Sequence, residues 1–152
     1  MKPVRIAVIG VLLVACCLAA AGPATAGAST PAEKRMVKKV NSVRAGHGLR
    51  PLRASRRLGD SAGRYAKWML RADYFGHQPR IRASSRYSRL GENLAWRTGP
   101  RPRVRYTVAA WLNSPPHRAL MLSRGFRWLG AGVARGRLDG RAGTAWVLHF
   151  GR

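Results

Sequence analysis

Apolar residues recur at helical spacing over three stretches of the chain, near residues 33–47, 56–72 and 104–113. The apolar stripes of these predicted helices are Met36, Val37, Val40 and Val43, then Leu58, Ala62, Tyr65, Ala66 and Met69, then Val104, Val108, Trp111 and Leu112. Thr30 and Glu33 stand where the N-cap and the reciprocal capping acid of the first helix belong. Residues 73–89 are predicted to form a loop, and residues 114–122 restart a turn or short helix.

The hydrophobic period changes towards the end of the chain. Residues 128–134 and 144–150 are predicted to be β-strands, and Asp139-Gly140 between them is a strong signal for a tight turn. The two strands should therefore pair as an antiparallel hairpin. Helices that precede such a sheet predict an α+β domain in which the helices cover the sheet.

The first 26 residues have the pattern of a secretion signal. Lys2 and Arg5 precede an apolar run from Ile6 to about Ala21, and Ala24-Thr25-Ala26 has the small-x-small form of a signal-peptidase site. We therefore expect cleavage after Ala26, which leaves residues 27–152 as a single secreted domain.

Two other fates of this N-terminal segment remain open. Residues 13–16 resemble a bacterial lipobox, which would make a lipoprotein anchored through Cys16, although the apolar run continues past that residue. The run is also long enough for a retained membrane helix, but Gly22-Pro23 breaks it and no basic stop-transfer cluster follows closely. Cys16 and Cys17 are the two cysteines of the chain, so cleavage after Ala26 leaves a domain without a disulfide.

The chain is strongly basic, with 29 Lys and Arg against five Asp and Glu and a formal net charge of +24. Of the charged residues, removal of residues 1–26 takes away only Lys2 and Arg5. Such a field attracts polyanions, and an exported chain first meets anionic lipid head groups and anionic wall polymers. The basic residues are scattered and carry no nucleic-acid motif, so we expect no specific nucleic-acid partner. The alternative is that the arginines simply form solvated faces.

Five short motifs follow one another between Glu33 and Gly151: "VNSVRAGHGLRPL", "YFGHQ", "GENLAW", "WLNSPPHR" and "LGAGVARG…AWVLHFG". In this order and at these separations they resemble the bacterial branch of the CAP superfamily, which comprises the cysteine-rich secretory, antigen 5 and pathogenesis-related-1 proteins. The resemblance implies a secreted, three-layer α-β-α sandwich around a small antiparallel sheet, in agreement with the period of the apolar residues.

CAP domains line a shallow cavity with two histidines and two acidic residues, and the resemblance assigns His77, Glu92 and His117 to three of these positions. The second acid has no counterpart, because residues 93–138 contain no Asp or Glu. We expect the three side chains to converge in one cleft, with Glu92 within hydrogen-bond distance of at least one imidazole. Two histidines elsewhere look incidental: His47 at a helix end and His149 in the last strand.

The chemistry of such a trio leaves several interpretations open. Two neutral imidazoles form a partial shell for Zn²⁺, and a carboxylate joins that shell or orients an imidazole. His77 and His117 are therefore the candidate ligands of a weakly held Zn²⁺ cofactor. The trio could instead be a protonated, metal-free network. Glu92 could also merely hydrogen-bond the backbone amides of its own tight turn.

Asn93 and Ser114 are further candidates for the cleft, and each has a structural interpretation. Asn93 would cap the segment that follows it, and Ser114 would be the N-cap of the turn that contains His117. A Ser114–His117 nucleophile is not favoured, because the two prolines between them fix the backbone and no acid other than Glu92 is in evidence to orient the imidazole.

Three classes of function remain. The favoured one is a non-enzymatic binding domain at the cell envelope, whose His/Glu cleft holds a metal ion or a small ligand such as a lipid or a wall fragment. The second is a metal-dependent, peptidase-like hydrolase with Glu92 as general base. The third is a secreted polyanion-binding protein. Loss of the second acid favours the binding domain, which we expect to be a monomer.

Overall fold

The computed structural model describes residues 29–99 and 101–152. In these ranges the elements are α1 (Pro31–Gly46), β1 (Arg53–Ala54), α2 (Arg56–Arg71), β2 (Leu90–Thr98), α3 (Val104–Leu112), α4 (Pro115–Leu122), β3 (Trp128–Leu138) and β4 (Arg141–Gly151). The expected signal peptide, residues 1–26, and Cys16 of the lipoprotein alternative lie outside the described residues. Within the described ranges, no helix combines the length and the apolar character needed to cross a membrane.

The start of α1 is the reciprocal cap that the sequence predicts. Thr30 Oγ1 accepts the backbone N–H of Glu33 at 3.3 Å, and Glu33 Oε2 accepts the backbone N–H of Thr30 at 2.7 Å. The other oxygen of Glu33 accepts the backbone N–H of Val133 at 3.2 Å. One side chain therefore both begins the helix and joins it to β3.

The four strands form one sheet in the order β1-β3-β4-β2. The predicted hairpin of β3 and β4 is confirmed, and Asp139 and Gly140 at its turn have positive φ angles of 48° and 69°. Such a turn matches the twist of the flanking strands. The expected antiparallel sheet needs one correction, because the two-residue β1 pairs with β3 in parallel, which makes the sheet mixed.

The strand β2 lies at the other edge of the sheet, antiparallel to β4. The sequence pattern did not indicate a strand here, since Gly91, Glu92 and Asn93 are residue types depleted in strands. Pairing with β4, which is buried from Gly143 to Gly151, overrides this local preference. Both faces of β2 are covered at these three residues, which are all buried.

The sheet separates two apolar layers, which confirms the α-β-α sandwich. On one face, α2 packs against alternate residues of β4 and β2; this cluster contains Ala62, Ala66, Met69, Leu94, Ala145 and Val147. On the other face lie α1, α3 and α4; that cluster includes Met36, Val40, Val108, Trp111, Met121, Trp146, Leu148 and Phe150. The side chains of β4 alternate between the two layers, as the pleat of a strand requires.

The helix α2 lies directly on the backbone of β3. A Cβ added at Gly130 would overlap the backbone of α2 at Leu58 and Gly59, and one at Gly132 would overlap it at Ala62 and Gly63. Only glycine permits such a close approach. The approach fixes α2, and with it the start of the loop that carries His77, against this face of the sheet.

Candidate functional site

Glu92 and His149 lie directly opposite each other on β2 and β4. Both point to the face covered by α2, because Leu94 and Val147, two residues away on each strand, belong to the α2 cluster. Nε2 of His149 lies 3.0 Å from Oε2 of Glu92, and His149 is fully buried. The expectation that His149 is incidental is therefore wrong.

The signal that would have identified His149 is its register. Residues opposed on antiparallel strands interact through their side chains, and on β4 His149 shares a face with Ala145 and Val147. That register was hidden in the sequence because β2 was not predicted as a strand. Without β2, the alternation of β4 places His149 in the core but gives it no partner.

The loop after α2 brings two more groups to the same carboxylate. His77 Nδ1 lies 2.8 Å from Glu92 Oε1, and Gln78 Nε2 lies 2.8 Å from Glu92 Oε2. The expected contact between Glu92 and an imidazole is thus present. The alternative that Glu92 caps the backbone of a tight turn is wrong, because the residue lies in a strand and its carboxylate faces side-chain donors.

The burial of this group is uneven. The Glu92 side chain is 4% exposed, whereas that of His77 is 60% exposed. Burial would raise the pKa of the Glu92 carboxyl, but the hydrogen bonds from His149, Gln78 and His77 outweigh it and lower the pKa below its ordinary value. Glu92 is therefore an anion at neutral pH.

An ionised carboxylate only accepts hydrogen bonds, so each ring nitrogen that faces it carries a hydrogen. His77 is then protonated on Nδ1, which leaves Nε2 available to a ligand on its exposed side. His149 is protonated on Nε2. Its Nδ1 is buried without a hydrogen-bond partner among the described residues.

His117 and Ser114 approach from α4, on the opposite side of β2. Nδ1 of His117 lies 2.7 Å from Ser114 Oγ, and Asn93 Nδ2 donates to the carbonyl of His117 at 3.1 Å. Ser114 stands at the N-cap of α4, but its side chain makes no capping bond. Asn93 is fully buried and ties β2 to α4, so the capping role expected for it is also wrong.

The two candidate metal ligands, His77 and His117, have different hydrogen-bond partners. The pKa of His117 is lowered, first by burial and second by the charge of nearby His77. His117 is therefore neutral at neutral pH. The structure joins His77 to Glu92 directly, and it places His117 in the vicinity with Ser114 as its own partner.

In the described ranges, no group of three or more His, Cys, Asp and Glu side chains is arranged to hold a metal ion. Nδ1 of His77 and Nδ1 of His117 already have partners, so each imidazole has Nε2 to offer. Two imidazoles alone fall short of a closed four-ligand zinc shell.

An open cavity of about 950 Å³ adjoins the network. His77 and Glu92 form part of its wall, and the loop that follows contributes Arg80, Arg82 and Tyr87. Glu92 is matched by donors of the protein itself, whereas the guanidinium groups add positive charge. The cavity therefore favours a ligand that carries negative charge.

The fold has counterparts among known proteins. The CAP family model, described as the cysteine-rich secretory protein family, matches residues 37–150. The uncharacterized protein YkwD of Bacillus subtilis is 30% identical in an alignment of 127 residues that covers 78% of this chain and 46% of that protein. The chain thus spans less than half of the length of this relative.

Two solved structures share the fold. An outer surface protein of Borrelia burgdorferi superposes with a TM-score of 0.64 at 20% identity, over 78% of this chain and 90% of that one. An extracellular protein containing an SCP domain from Bacillus anthracis gives 0.63 at 23% identity, over 83% and 45%. Together with the family match, these likenesses lead to one conclusion: the chain belongs to the CAP family of cysteine-rich secretory proteins.

Proposed function

We propose that this chain is a secreted, non-enzymatic binding domain that recognises a small anionic ligand of the cell envelope in the cavity beside Glu92. The observation that carries the proposal is the state of the Glu92 carboxylate, whose two oxygens accept hydrogen bonds from three side chains while 4% of its side chain is exposed. A carboxylate held in this way orients its neighbours. It is not free to take a proton from a substrate water.

The ligand would meet the exposed imidazole of His77 and the guanidinium groups of Arg80 and Arg82. Glu92 fixes the ring of His77 through Nδ1, so Nε2 presents a directed hydrogen-bonding or metal-binding atom to the cavity. Guanidinium groups bind carboxylates and phosphates in a planar, two-pronged geometry. Lipid head groups and fragments of wall polymers both carry such anions.

A Zn²⁺ ion is a second, weaker ligand in this proposal. Nε2 of His77 and Nε2 of His117 would hold it, with Glu92 and Ser114 as the groups that orient the two rings. The ion would act as a Lewis acid or as a bridge to an anionic ligand. The binding function does not depend on it.

A metal-dependent, peptidase-like hydrolase is the alternative, and it fits the site less well. It needs a general base, and Glu92 is occupied by donors and nearly enclosed. The Ser114–His117 pair lacks an acid at its other ring nitrogen among the contacts of the described residues. Cleavage of a defined peptide that disappears with a chelator would establish the hydrolase instead.

Export is part of the proposal. The pattern of residues 1–26 and the extracellular or outer-surface names of structural relatives support it. We expect mass spectrometry of material released by cells to find an N-terminus at or near Gly27. A diacylated Cys16 would place the protein on a membrane and would contradict the proposed cleavage.

The binding function is tested with the untagged mature domain and a solubilised envelope fragment rich in phosphate or carboxylate, titrated by calorimetry. His77→Ala and Glu92→Gln should each weaken binding, while His47→Ala should leave it unchanged, because His47 lies exposed at the end of α1. Binding that survives both cavity variants would refute the proposed site. A basic protein that binds through charge alone would behave in that way, with a steep dependence on salt.

A further inference from the structure

A second cavity, of about 510 Å³, adjoins the one beside Glu92. His77, Gln78, Pro79, Arg80 and Arg82 line both cavities. A ligand that lies over this short loop segment can therefore reach both. The far wall of the second cavity is aromatic and is formed by Tyr65, Trp68 and Tyr74; this set is called the aromatic wall below.

The aromatic wall is a preformed surface. Tyr65 and Trp68 are stacked with ring centroids 5.5 Å apart and an interplanar angle of 12°, and Tyr74 meets Trp68 edge-on at 5.7 Å. The hydroxyl of Tyr65 donates to the carbonyl of Gly76 at 2.7 Å, which ties the following loop to α2. Burial, with contributions from Glu92 and Tyr74, raises the pKa of Tyr65 to about 12, so this donor keeps its hydrogen.

The exposure of the wall is unusual for its size. Trp68 is 44% exposed and Tyr74 is 45% exposed, although each is a large aromatic residue. Contiguous exposed apolar surface of this kind marks interaction sites. The rings are held by one another and by α2, so a ligand would find the surface in place without a cost of ordering.

The charge around the wall is positive. Arg64, Arg80 and Arg82 line the cavity, and all three are exposed. The nearest acid in sequence to Tyr74 is Asp73, whose carboxylate accepts the backbone N–H of Asp139 at 2.6 Å. The aromatic wall is therefore flanked by cations whose natural partners are anionic groups of a ligand.

We propose that the aromatic wall and the adjoining loop form a binding site for an anionic oligosaccharide. Sugar rings have apolar C–H faces that pack on Trp68 and Tyr74, and their carboxylates or phosphates pair with the arginines that line the second cavity. The saccharide continues over the loop towards His77 and the first cavity. This inference rests on the proposed function, since it names the class of ligand that the same cleft takes.

A membrane surface is the competing partner, because Phe75 is also exposed and aromatic residues with arginines favour bilayer interfaces. The shape argues against it. The rings of the aromatic wall form the side of a concave cavity that arginines also line. Rings that insert into a bilayer would instead have to project from the surface.

The test uses the mature domain, a hexamer of galacturonic acid and the methyl ester of the same hexamer, with binding followed by calorimetry and by the NMR signal of the Trp68 indole. The acidic hexamer should bind and shift the indole signal, and the neutral ester should bind at least about tenfold more weakly. Trp68→Ala and Tyr74→Ala should each weaken binding about five- to tenfold, and Trp68→Phe should restore part of the loss.

The chain offers a matched control in Tyr106. Tyr106 lies on α3, is 48% exposed and does not line the second cavity. The guanidinium carbons of Arg97, Arg103 and Arg105 lie 5.0–5.9 Å from its ring. Tyr106→Ala should leave binding of the hexamer unchanged. Equal losses in Tyr106→Ala and Trp68→Ala would show that the saccharide does not bind specifically at the aromatic wall, and would overturn the inference.

Three further outcomes bear on this inference and on the proposed function. Trp68-dependent binding to phosphatidylglycerol vesicles, with no binding of the hexamer, would replace the saccharide with a membrane. Envelope-fragment binding that is lost in His77→Ala but intact in the Trp68→Ala, Tyr74→Ala double variant would overturn the saccharide site alone. The reverse pattern would overturn the proposed site at His77 and leave the aromatic wall standing.

Discussion

Nε2 of His149 lies 3.0 Å from Oε2 of Glu92, and the two residues are directly opposed on β4 and β2. This contact joins the cleft to the core, since His149 is fully buried while Glu92 reaches the exposed His77 through its other oxygen. The orientation of His77 therefore depends on a residue that no ligand touches. A change in the core at His149 should be felt at the cavity.

His149→Leu should lower the free energy of unfolding by about 1–3 kcal/mol, because it removes one donor from a buried anion. The same change should loosen His77, which urea denaturation and the NMR line width of the His77 ring would report. His47→Leu is the control, since His47 is exposed at the end of α1. Equal stability of the two variants would mean that the contact of His149 with Glu92 contributes nothing.

Stability should fall in acid through Glu92. Its folded pKa lies below the ordinary value of 4.5, so the unfolded chain takes up the proton first. The contribution of the ionised carboxylate is fully present above about pH 4.5 and is lost as the pH falls through the folded pKa. Glu92→Gln should therefore be least stable relative to the parent at neutral pH, and the difference should shrink below about pH 4.5 in urea titrations.

Asp60→Asn controls for general loss of negative charge. Asp60 pairs with Arg56 at 3.9 Å on the surface of α2, and exposed pairs of this kind contribute at most about 1 kcal/mol. Its stability should therefore differ from that of the parent by no more than about 1 kcal/mol. If Asp60→Asn and Glu92→Gln show the same pH profile, the acid sensitivity does not come from the hydrogen bonds to Glu92.

Any Zn²⁺ affinity of the parent should be weak, and Glu92→Gln should lower it about ten- to a hundredfold by removing the partner of His77. Ser114→Ala should act in the same direction through His117, whose Nδ1 it leaves without the hydroxyl at 2.7 Å. Competition with a zinc-sensitive dye measures both. Zinc binding that is indifferent to His77→Ala and His117→Ala would place the ion elsewhere.

The pKa of His117 depends in part on the charge of His77. Burial lowers this pKa most and the charge of His77 adds to the effect, so His77→Ala should remove the second cause only. We expect the pKa to rise towards the ordinary 6.5 without reaching it, in a proton NMR titration of the ring. His47→Ala should leave the titration unchanged. An unchanged pKa of His117 in His77→Ala would show that the two imidazoles do not interact.

Local signals predicted much of the fold, and long-range pairing accounts for what they missed. The cap of α1 and the turn of the hairpin were predictable because each depends on residues that are close in sequence. Thr30 and Glu33 form the cap, and Asp139 and Gly140 form the turn. The strand β2 was not, because its residues are poor strand formers and burial against β4 decides their conformation.

The same distinction applies to the site. The motif that contains Glu92 indicated an acid near His77, and the two are in contact. His149 lies 57 residues from Glu92 along the chain, and only the register of β2 on β4 brings them together. The contacts of the aromatic wall likewise depend on how the loop after α2 folds back, which helical periodicity does not describe.

The contact between α2 and the backbone of β3 should be the point at which a substitution most strongly affects both the stability of the fold and the geometry of the site. Gly132→Ala places a Cβ into the backbone of α2 at Ala62 and Gly63, so the helix must move, at a cost of about 1–3 kcal/mol or more. The loop that carries His77 starts from α2, so the displaced helix should also weaken the contact of His77 with Glu92. Urea denaturation and the NMR signal of the His77 ring would detect the two effects together.

Gly46→Ala is the matched control, because its Cβ meets no atom within 4 Å, and it should cost nothing or stabilise α1 by up to about 1 kcal/mol. Equal stability of the two alanine variants would show that α2 does not rest on the backbone of β3.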